Sequence, residues 1–579
     1  MCGLIAYISS DFIPKNNLIQ GLESMAKRGP DGEGIWFDDN VFLGHKRLSI
    51  IDLDNRSNQP LVSICERYVV IFNGEIYNYK YLRNLLLDKD ISFKTESDTE
   101  ILSWLYHFFK NDMLPLLRGM FSFVIWDRKE KELFIARDPY GIKPLYFSKT
   151  DNGFLVSSQV KSIIATGLIR KDLDSSSIAY YKMLGSIPEP KTLYKNIETI
   201  EAGSFVKITN LSNVQKENWS NISEYWLAEG KDKNLKRSLK EASEILRKSI
   251  NAHLISDAPV AIFLSAGIDS SVLAGVISET NTNIVAITIK YEDQFENLYD
   301  ESILASEVAK KIGLQHYVRV ITKEEFFNDM ETILRDMDQP SIDGVNTWYA
   351  SKAASEIGAK VAISGVGADE LFWGYSFFDW LPKTVKIWSL LTKIKLFKNV
   401  LRLPFSFINL NNRMHYAYKW MQKIESAWWL KRSIAAPQNC FLKNSQRNNI
   451  TKDFDPASFL KDRVPKLSSN YKMALSQIES VMYLRNQLLK DADWAGMAHG
   501  VEIRTPFVDS KLLSEVSILL PALVKVKKKN ILFEALNVDL PNSVYTKPKT
   551  GFSIPLNNWL KEKEITWNKL VENSFEFKE

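Results

Sequence analysis

A cysteine at the second position is the first residue of the chain that could carry out chemistry. Because an initiator methionine is normally removed before a small residue, Cys2 would combine its thiol with a free α-amine. An α-amine has a pKa of about 8, so it can take the thiol proton at neutral pH and later return it to a leaving amine. Cys2 is therefore a candidate nucleophile, although a cysteine at this position also occurs by chance.

Residues that could bind and polarise an amide substrate follow within the first hundred positions. The guanidinium of Arg47 could hold an α-carboxylate, and Glu75 and Asp98 could hold an ammonium group. A side-chain amide beside a glycine N–H, as in Asn73-Gly74, is a suitable oxyanion hole for attack on an amide. The alternatives are a surface ion pair between Arg47 and Asp98 and a hairpin turn at Asn73-Gly74.

A second candidate site lies where an apolar strand meets a helix, in the segment 263–271. A turn rich in glycine and hydroxyl groups presents backbone N–H groups to pyrophosphate at the positive end of the helix dipole. It is not a Walker loop, because the Gly-Lys-Ser/Thr element is missing. Asp269 could hold Mg²⁺, which usually takes one or two carboxylates beside phosphate oxygens; the alternative is a helix N-cap.

The elements that must position these sites fall into two patterns. Up to about residue 205 the chain reads as short strands with helices between them, which indicates helices packed on antiparallel sheets. The predicted strands are 4–8, 34–37, 68–72, 121–126, 132–136, 145–147 and 154–157, and the predicted helices are 16–27, 77–88 and 98–109.

The second pattern follows a polar stretch, Asn210 to Asn221, which we interpret as a linker. Apolar strands then alternate with helices, which indicates a parallel, doubly wound sheet. The predicted strands are 260–264, 284–289 and 360–363, the predicted helices are 235–254, one from Ser270 and 302–312, and the chain is largely helical from Phe377.

Composition limits the class of protein. A chain of 579 residues is too long for one core and predicts two domains. Its 45% hydrophobic and 25% charged residues are typical of a globular protein, and a net charge of +5 gives no case for nucleic acid. Three cysteines fit neither a disulfide framework nor a metal-binding spacing. With no signal peptide and no apolar run long enough to span a bilayer, we expect a cytoplasmic protein, soluble or peripheral.

The first 200 residues resemble the class II glutaminase domain. The resemblance is carried by Met1-Cys2-Gly3-Leu4, Arg28-Gly29-Pro30-Asp31-Gly32, the Arg47 segment, Asn73-Gly74-Glu75, Ser97-Asp98 and the segment 137–145. It implies an N-terminal-nucleophile αββα sandwich in which Cys2 is the nucleophile and Asn73 and Gly74 form the oxyanion hole. The implied glutamine-binding residues are Arg47, Leu48, Ser49, Ile50, Ile51, Asn73, Gly74, Glu75 and Asp98.

The rest of the chain resembles ATP-pyrophosphatases in its 264–271 turn, and the whole chain resembles glutamine-hydrolysing asparagine synthetases. The segments 300–302, 364–372, 501–509 and 547–552 also match in order. The resemblance implies an α/β adenine-nucleotide hydrolase-like domain with a parallel sheet and helical C-terminal additions. The implied ATP-binding residues are Leu264, Ser265, Gly267, Asp269, Ser270, Ile289, Ser364, Gly365 and Asp369.

The resemblance also implies cofactors and a reaction. Asp269 and Asp369 would bind Mg²⁺, and Lys549 would stabilise charge on the phosphates of ATP. Glutamine would be hydrolysed at Cys2, and the ammonia would convert an acyl-adenylate to an amide. With aspartate as acceptor the products are asparagine, AMP, pyrophosphate and glutamate. We expect an internal, mostly uncharged passage for the ammonia.

The predicted domains are a glutaminase domain at 1–205, a linker at 206–232 and an ATP-dependent domain at 233–579. A basic helical insertion is expected near 377–445. Within it, residues 381–423 carry nine Lys or Arg and no Asp or Glu. They could contact an anionic membrane surface or simply pack on the second domain. A homodimer is left open.

Three departures from the family pattern open alternatives. Ala266 replaces a loop glycine, Gln159 replaces a usual Glu, and Val366 stands where asparagine-forming members usually carry Glu. An apolar side chain at 366 can neither pair with a substrate ammonium nor take a proton. The alternative acceptor is another carboxylate, such as a sugar uronate in surface-polysaccharide assembly. A non-catalytic scaffold is the third alternative.

Overall fold

The computed structural model describes residues 2–89, 91–211, 213–230, 234–280, 283–292, 301–391, 423–435, 456–526, 530–546, 556–561 and 563–577. Lys549 lies outside these ranges. So do residues 392–422 of the basic segment. None of the described helices is long and apolar enough to cross a membrane.

Two six-stranded antiparallel sheets form the first part of the chain. Their orders are β10-β8-β9-β1-β3-β2 and β12-β11-β7-β6-β5-β4. The strands are β1 (Gly3–Ser9), β2 (Gly32–Phe37), β3 (Val41–Arg47), β4 (Leu61–Val62), β5 (Tyr68–Ile76), β6 (Gly119–Asp127), β7 (Glu132–Arg137), β8 (Tyr146–Lys149), β9 (Gly153–Ser157), β10 (Glu198–Thr199), β11 (Ser204–Asn210) and β12 (Asn213–Asn218).

Strand β1 shows how the layers are built. Because side chains alternate along a strand, Leu4 and Ala6 join the core between the two sheets, whereas Ile5 and Tyr7 join the core under the outer helices. Helix Lys15–Glu23 packs on β1 and β3, and helix Asp98–Phe109 packs on β5 of the other sheet. The predicted αββα sandwich is confirmed.

The remaining helices of this part are short. They are Tyr79–Leu87, Val160–Ala165, Ser175–Leu184 and Ile222–Tyr225, with 3₁₀ turns at Ala26–Arg28, Asn55–Ser57 and Lys110–Leu116.

The linker prediction is wrong for its first part. Strands β11 and β12 form a hairpin, and β11 pairs with β7 through the buried Phe205, Val206 and Ile208. Strand β12 is the exposed edge of the sheet, so its polar side chains face water and give it the composition of a linker. The segment 206–218 therefore belongs to the first domain's sheet.

A five-stranded parallel sheet forms the centre of the second part. Its order is β15-β14-β13-β16-β17, and every pair is parallel. The strands are β13 (Val260–Phe263), β14 (Val285–Tyr291), β15 (Gln315–Ile321), β16 (Val361–Ile363) and β17 (Glu502–Arg504). The strand order reverses direction between β13 and β16, where α/β folds bind ligands at the carboxyl ends of the strands.

Helices cover this sheet and continue to the end of the described chain, as predicted. They are Leu235–Ala252, Ile268–Ser278, Glu301–Ile312, Lys323–Asp336, Val345–Glu356, Ala368–Phe372, Phe377–Leu391, Ile424–Ala435, Pro456–Arg463, Tyr471–Glu479, Leu489–Met497, Ser510–Val516, Leu520–Leu523, Asn530–Leu536, Asn542–Thr546, Leu556–Lys561 and Trp567–Ser574, with a π-helical stretch at Ser480–Leu488.

Candidate active sites

Cys2 lies at the start of β1 and is only 7% exposed. Its backbone N donates to Asn73 Oδ1 at 3.0 Å, and its Sγ lies 3.9 Å from the Leu48 carbonyl oxygen. Burial raises the pKa of the Cys2 thiol. The thiol is therefore protonated at neutral pH and needs a base before it can attack a carbonyl carbon.

Asn73 is held by β5 with its side chain fully buried. The bond from Cys2 N uses Asn73 Oδ1, and Asn73 Nδ2 has no hydrogen-bond partner among the described residues. A buried amide NH₂ without a hydrogen-bond partner costs stability, and a ligand oxygen could supply the missing acceptor. The arrangement supplies an oxyanion donor on a side chain that is hydrogen-bonded to the backbone of the candidate nucleophile.

Gly74 follows Asn73 inside β5 and not in a hairpin turn. Its φ is +152°, and a Cβ added there would lie 2.1 Å from the Met120 carbonyl oxygen on β6. Only glycine fits this close approach of two backbones. The requirement fixes the backbone beside the Asn73 amide.

Arg47 is buried at the end of β3 and is not a surface ion pair. Its Nη1 donates to Asp54 O at 2.8 Å and to Asn58 Oδ1 at 3.0 Å, and its Nη2 donates to the carbonyls of Ile51 and Asp52. In this structure the guanidinium therefore holds the 51–54 loop. Arg47 could bind a substrate carboxylate through two N–H groups only if some of them gave up their hydrogen bonds to this loop.

Glu75 and Asp98 meet charged residues of the second domain. Glu75 Oε1 lies 3.4 Å from Arg504 Nη2, and Asp98 Oδ2 accepts from Ile76 N at 3.0 Å. Burial, together with the negative charge of Glu502, raises the pKa of Asp98 to about 6. Sequence reasoning placed both carboxylates in the site but missed the Glu502–Arg504 pair behind them.

The other predicted glutamine-binding residues form the loop after β3. Leu48, Ser49, Ile50 and Ile51 are all buried. The loop also contacts the second domain, because Ile50 O accepts from Asp257 N at 2.9 Å. The structure thus brings the predicted glutamine-binding residues to one end of the sandwich, against the second domain.

A pocket of about 510 Å³ lies at the carboxyl ends of β13, β14 and β16. This volume suits a nucleotide with a small second substrate. All nine predicted ATP-binding residues line it, namely Leu264, Ser265, Gly267, Asp269, Ser270, Ile289, Ser364, Gly365 and Asp369.

The turn between β13 and the next helix is held by its hydroxyl groups. Ser270 Oγ lies 2.9 Å from Ser265 Oγ and donates to Ser265 O, while Gly267 N donates to Ser265 Oγ. Gly267 is the N-cap of helix Ile268–Ser278, so the alternative of Asp269 as N-cap is wrong. Asp269 lies instead in the first helical turn and faces the pocket.

The three unusual positions have different surroundings. The Ala266 side chain is 1% exposed and does not line the pocket, so its methyl group is turned away from the nucleotide space. Val366 lines the pocket directly. Gln159 precedes Val160, whose N donates to Asp338 Oδ2 of the second domain at 3.1 Å, so Gln159 lies near the domain contact.

Every charged side chain in the described lining of this pocket is acidic. Besides Asp269 and Asp369, the acidic residues are Asp343, Glu370 and Asp491. Burial, with the charge of Asp369, raises the pKa of Glu370 to about 7, and Tyr375 Oη donates to it at 2.6 Å. Sequence reasoning missed Asp343 and Asp491, which belong to no local motif, and assigned no role to Glu370, although Glu370 lies in the matching segment 364–372.

A small cavity of about 30 Å³ lies between the two domains. Residues 137–146 of the first domain form one side, and residues 338–341 and 486–494 of the second form much of the other. Its charged lining residues are Arg137, Asp338, Lys490, Asp491 and Asp493. The lining of this cavity thus differs from the mostly uncharged passage that we expected, because it includes five charged residues.

Arg28 links the Cys2 region to this cavity. Its Nε donates to Cys2 O at 3.1 Å, and its two terminal nitrogens bind Asp493 at 2.6 and 3.1 Å. The Arg28 side chain is 2% exposed. A bidentate, buried pair of this kind fixes geometry across the domain boundary.

Mg²⁺ is compatible with the pocket. Asp269 and Asp369 both line it, and carboxylates beside phosphate oxygens are the ligands that Mg²⁺ prefers. Among the described residues no cluster of three or more His, Cys, Asp or Glu side chains could hold a metal by itself. The metal would therefore depend on the phosphates for the rest of its shell.

Comparison with known proteins gives the same two-part division. The family described as Glutamine amidotransferase domain matches residues 1–226, and the family described as Asparagine synthase matches residues 241–573. Glutamine-hydrolysing asparagine synthetase 1 of Bacillus subtilis is 31% identical, with 98% of this chain and 89% of that protein covered. A putative glutamine-hydrolysing asparagine synthetase of Mycobacterium bovis is 29% identical with the same coverage. Amidase chry2 of Gibberella zeae is 28% identical, with 96% of this chain and 90% of that protein covered.

Proposed function

Because the chain belongs to the glutamine-hydrolysing asparagine synthetase family, we propose that it makes asparagine from aspartate, ATP and glutamine. Cys2 releases ammonia from glutamine, and the second domain transfers it to aspartyl-adenylate. The products are asparagine, AMP, pyrophosphate and glutamate.

The glutaminase half uses residues at the end of the sandwich. With Met1 removed, the α-amine of Cys2 takes the thiol proton and the thiolate attacks the side-chain carbonyl carbon of glutamine. Asn73 Nδ2 and the backbone beside Gly74 stabilise the oxyanion. Glu75 and Asp98 bind the substrate ammonium, and Arg47 binds its carboxylate after exchanging donors with the 51–54 loop.

The synthetase half uses the pocket at the carboxyl ends of the parallel strands. The turn Ser265–Ser270 receives the pyrophosphate of ATP through backbone N–H groups at the start of a helix. Asp269 and Asp369 would hold Mg²⁺, which neutralises developing charge on the phosphates when bound. A carboxylate oxygen of the acceptor attacks the α-phosphorus, pyrophosphate leaves, and the acyl-adenylate is ready for ammonia. Lys549 is proposed to assist this step.

The observation that carries the glutaminase assignment is the buried contact of Cys2 with Asn73, whose Nδ2 has no partner among the described residues. Cys2→Ala should abolish glutamine hydrolysis while ammonia-dependent synthesis continues, because the two reactions use separate sites. The exposed Cys65 provides the matched control, Cys65→Ala. Continued glutamine hydrolysis by Cys2→Ala would show that the nucleophile is another residue.

A second candidate acceptor is favoured by the charges in the pocket. The α-carboxylate of aspartate would need a cation, but the described lining contains five acidic side chains and neither Lys nor Arg. An acceptor rich in hydroxyl groups, such as a sugar uronate, could donate hydrogen bonds to those carboxylates. The apolar side chain of Val366 cannot pair with the ammonium group of aspartate. Acceptor-dependent pyrophosphate release with aspartate and with several uronates decides between the two.

The proposal extends to location and assembly. The ordinary composition and the family fit a cytoplasmic enzyme acting on small molecules. Peripheral membrane contact through residues 381–423 and a homodimer are predictions, and the test for the first is described below.

A further inference from the structure

Asp491 lies where the two cavities of the molecule meet. Among the described residues it alone belongs to both walls, that of the small cavity between the domains and that of the nucleotide pocket. Ammonia released in the first domain must enter the pocket to reach an acyl-adenylate. A molecule that crosses from one space to the other passes the Asp491 carboxylate.

Asp343 lies against Asp491 on the pocket side. A Cβ added to Gly344 would lie 3.3 Å from Asp491 Cγ, so the backbone that follows Asp343 runs directly beside that carboxylate. Ser341 Oγ connects them, because it donates to Asp491 Oδ2 at 2.9 Å and accepts from Asp343 N at 3.3 Å. The two carboxylates therefore share one wall of the pocket.

No cation neutralises this pair within the described part of the chain. Neither Asp343 nor Asp491 takes part in an ion pair there; the charge of Lys490 lowers the pKa of Asp491, but Lys490 Nζ donates to the Ile187 carbonyl at 2.9 Å. Burial, with the negative charge of Asp343, raises the pKa of Asp491 to about 8. Burial likewise raises the pKa of Asp343. Two carboxylates this close share a proton near neutral pH.

The chemistry of amide formation needs a base at this place. As ammonia attacks the acyl carbon, its nitrogen becomes positively charged and must lose a proton before a neutral amide can form. Val366 offers no acceptor, and Glu370 already accepts from Tyr375. Asp491 has a pKa near the working pH, as a general base should.

We propose that Asp491, supported by Asp343, is the catalytic base that takes the proton from ammonia as it attacks the acyl-adenylate. The nitrogen lone pair forms the C–N bond, the bond from the acyl carbon to the phosphate oxygen breaks, and its electron pair leaves with AMP. One proton passes from nitrogen to Asp491. The inference rests on the proposed amide-ligase function but is independent of whether aspartate is the acceptor.

Asp491→Asn is the direct test. Asparagine can still accept from Trp494 Nε1, now 2.8 Å from Asp491 Oδ1, and can donate to Ser341 Oγ. Acceptor-dependent ATP–pyrophosphate exchange should fall far less than amide formation, because adenylylation precedes proton transfer. Amide formation from glutamine or ammonium should fall by about 10²- to 10⁴-fold. Asp491→Glu, which restores a carboxylate, should recover part of the activity.

The pH profile of amide formation separates catalysis from a structural role. In the unmodified enzyme the rate should rise with pH through about 8, since the base must be deprotonated. Asp343→Asn removes a like charge, so the rise should move to lower pH while activity remains. The charged and titratable groups around the pair are Lys490, Asp493, Asp338, Arg137, Tyr291 and Tyr483.

Three results would overturn the inference. The first is full amide formation by Asp491→Asn, and the second is an equal loss of exchange and amide formation in a folded variant. The third is loss of amide formation in Asp343→Asn together with an unchanged pH profile of amide formation in Asp491→Asn. Failure of the unmodified enzyme to exchange pyrophosphate with any acceptor would instead remove the proposed function itself.

Discussion

At the scale of single residues, Asn73 is the side chain that we propose as an oxyanion donor, because its Oδ1 accepts from Cys2 N and its Nδ2 has no partner among the described residues. Asn73→Ala should lower kcat for glutamine hydrolysis by about 10²- to 10³-fold, because one oxyanion donor is lost. Ammonia-dependent synthesis should persist. The exposed Asn84→Ala is the control. An unaffected kcat for Asn73→Ala would assign the oxyanion hole to other groups.

Val366 is the residue at which acceptor choice can be tested. It lines the pocket at the carboxyl ends of β13, β14 and β16, and the family resemblance implies a Glu at this position in asparagine-forming members. If the acceptor is not aspartate, the unmodified enzyme should use aspartate poorly and Val366→Glu should raise kcat/KM for it. The measurement is asparagine formed per pyrophosphate released, with Val366→Gln as an uncharged control of similar size. Efficient asparagine formation by the unmodified enzyme would leave aspartate as the acceptor.

At the scale of elements, helix Phe377–Leu391 exposes apolar side chains where it overlaps the start of the basic segment 381–423. Trp380, Ile387 and Leu390 are among the exposed large hydrophobic residues. If residues 381–423 contact a membrane, the protein should sediment with anionic vesicles at low salt and be released at high salt. Ile387→Asp should weaken the binding. Equal recovery in the supernatant with neutral and anionic vesicles would leave only packing of this segment on the protein.

Local elements were predictable where chemistry and hydrophobic pattern coincide. The turn after β13 joins an apolar strand to a helix, and its hydroxyl groups, glycine and carboxylate stand within seven positions, so the sequence predicted residues that line one pocket at the carboxyl ends of the parallel strands. Strand β17 was missed because Glu502 and Arg504 give it no apolar pattern. Strand β3 was missed because Gly44-His45-Lys46 interrupts its apolar run.

Contacts between distant segments could not be predicted. Glu75 and Arg504 are far apart in sequence, and their contact depends on how the domains dock. Asp343 and Asp491 both belong to the second domain, and they meet because helices Val345–Glu356 and Leu489–Met497, which are distant in sequence, pack against each other. Sequence patterns report on the face that a residue occupies in its own element, but carry no signal for a charged partner in another domain.

At the scale of the whole molecule, the Arg28–Asp493 pair joins the domains beside the nucleophile. Arg28→Met leaves Asp493 buried without its cation, which should destabilise the protein by about 3–5 kcal/mol and lower the midpoint of thermal unfolding. Less amide should form per glutamine hydrolysed, because Arg28 also holds the Cys2 carbonyl.

The neighbouring residue provides the control for this prediction. Lys27 pairs with Asp336 at 2.6 Å across the same boundary, but its side chain is mostly exposed. Lys27→Met should therefore cost less than Arg28→Met, because water already reaches this pair from the lysine side, and it should leave the ratio of amide to glutamate unchanged. Similar losses in the two variants would argue against a special role for the buried pair.

The size of the small cavity has a consequence for the origin of the product nitrogen. About 30 Å³ holds one or two molecules as large as water, so a nitrogen that travels this way does so with almost no solvent around it. Glutamine labelled with ¹⁵N at its amide should then give labelled product even in a medium rich in unlabelled ammonium. Bulkier amines released from N-substituted glutamine analogues should not pass through this cavity and should not appear in the product. The wall between the domains would thus admit the nitrogen released from glutamine and exclude larger amines.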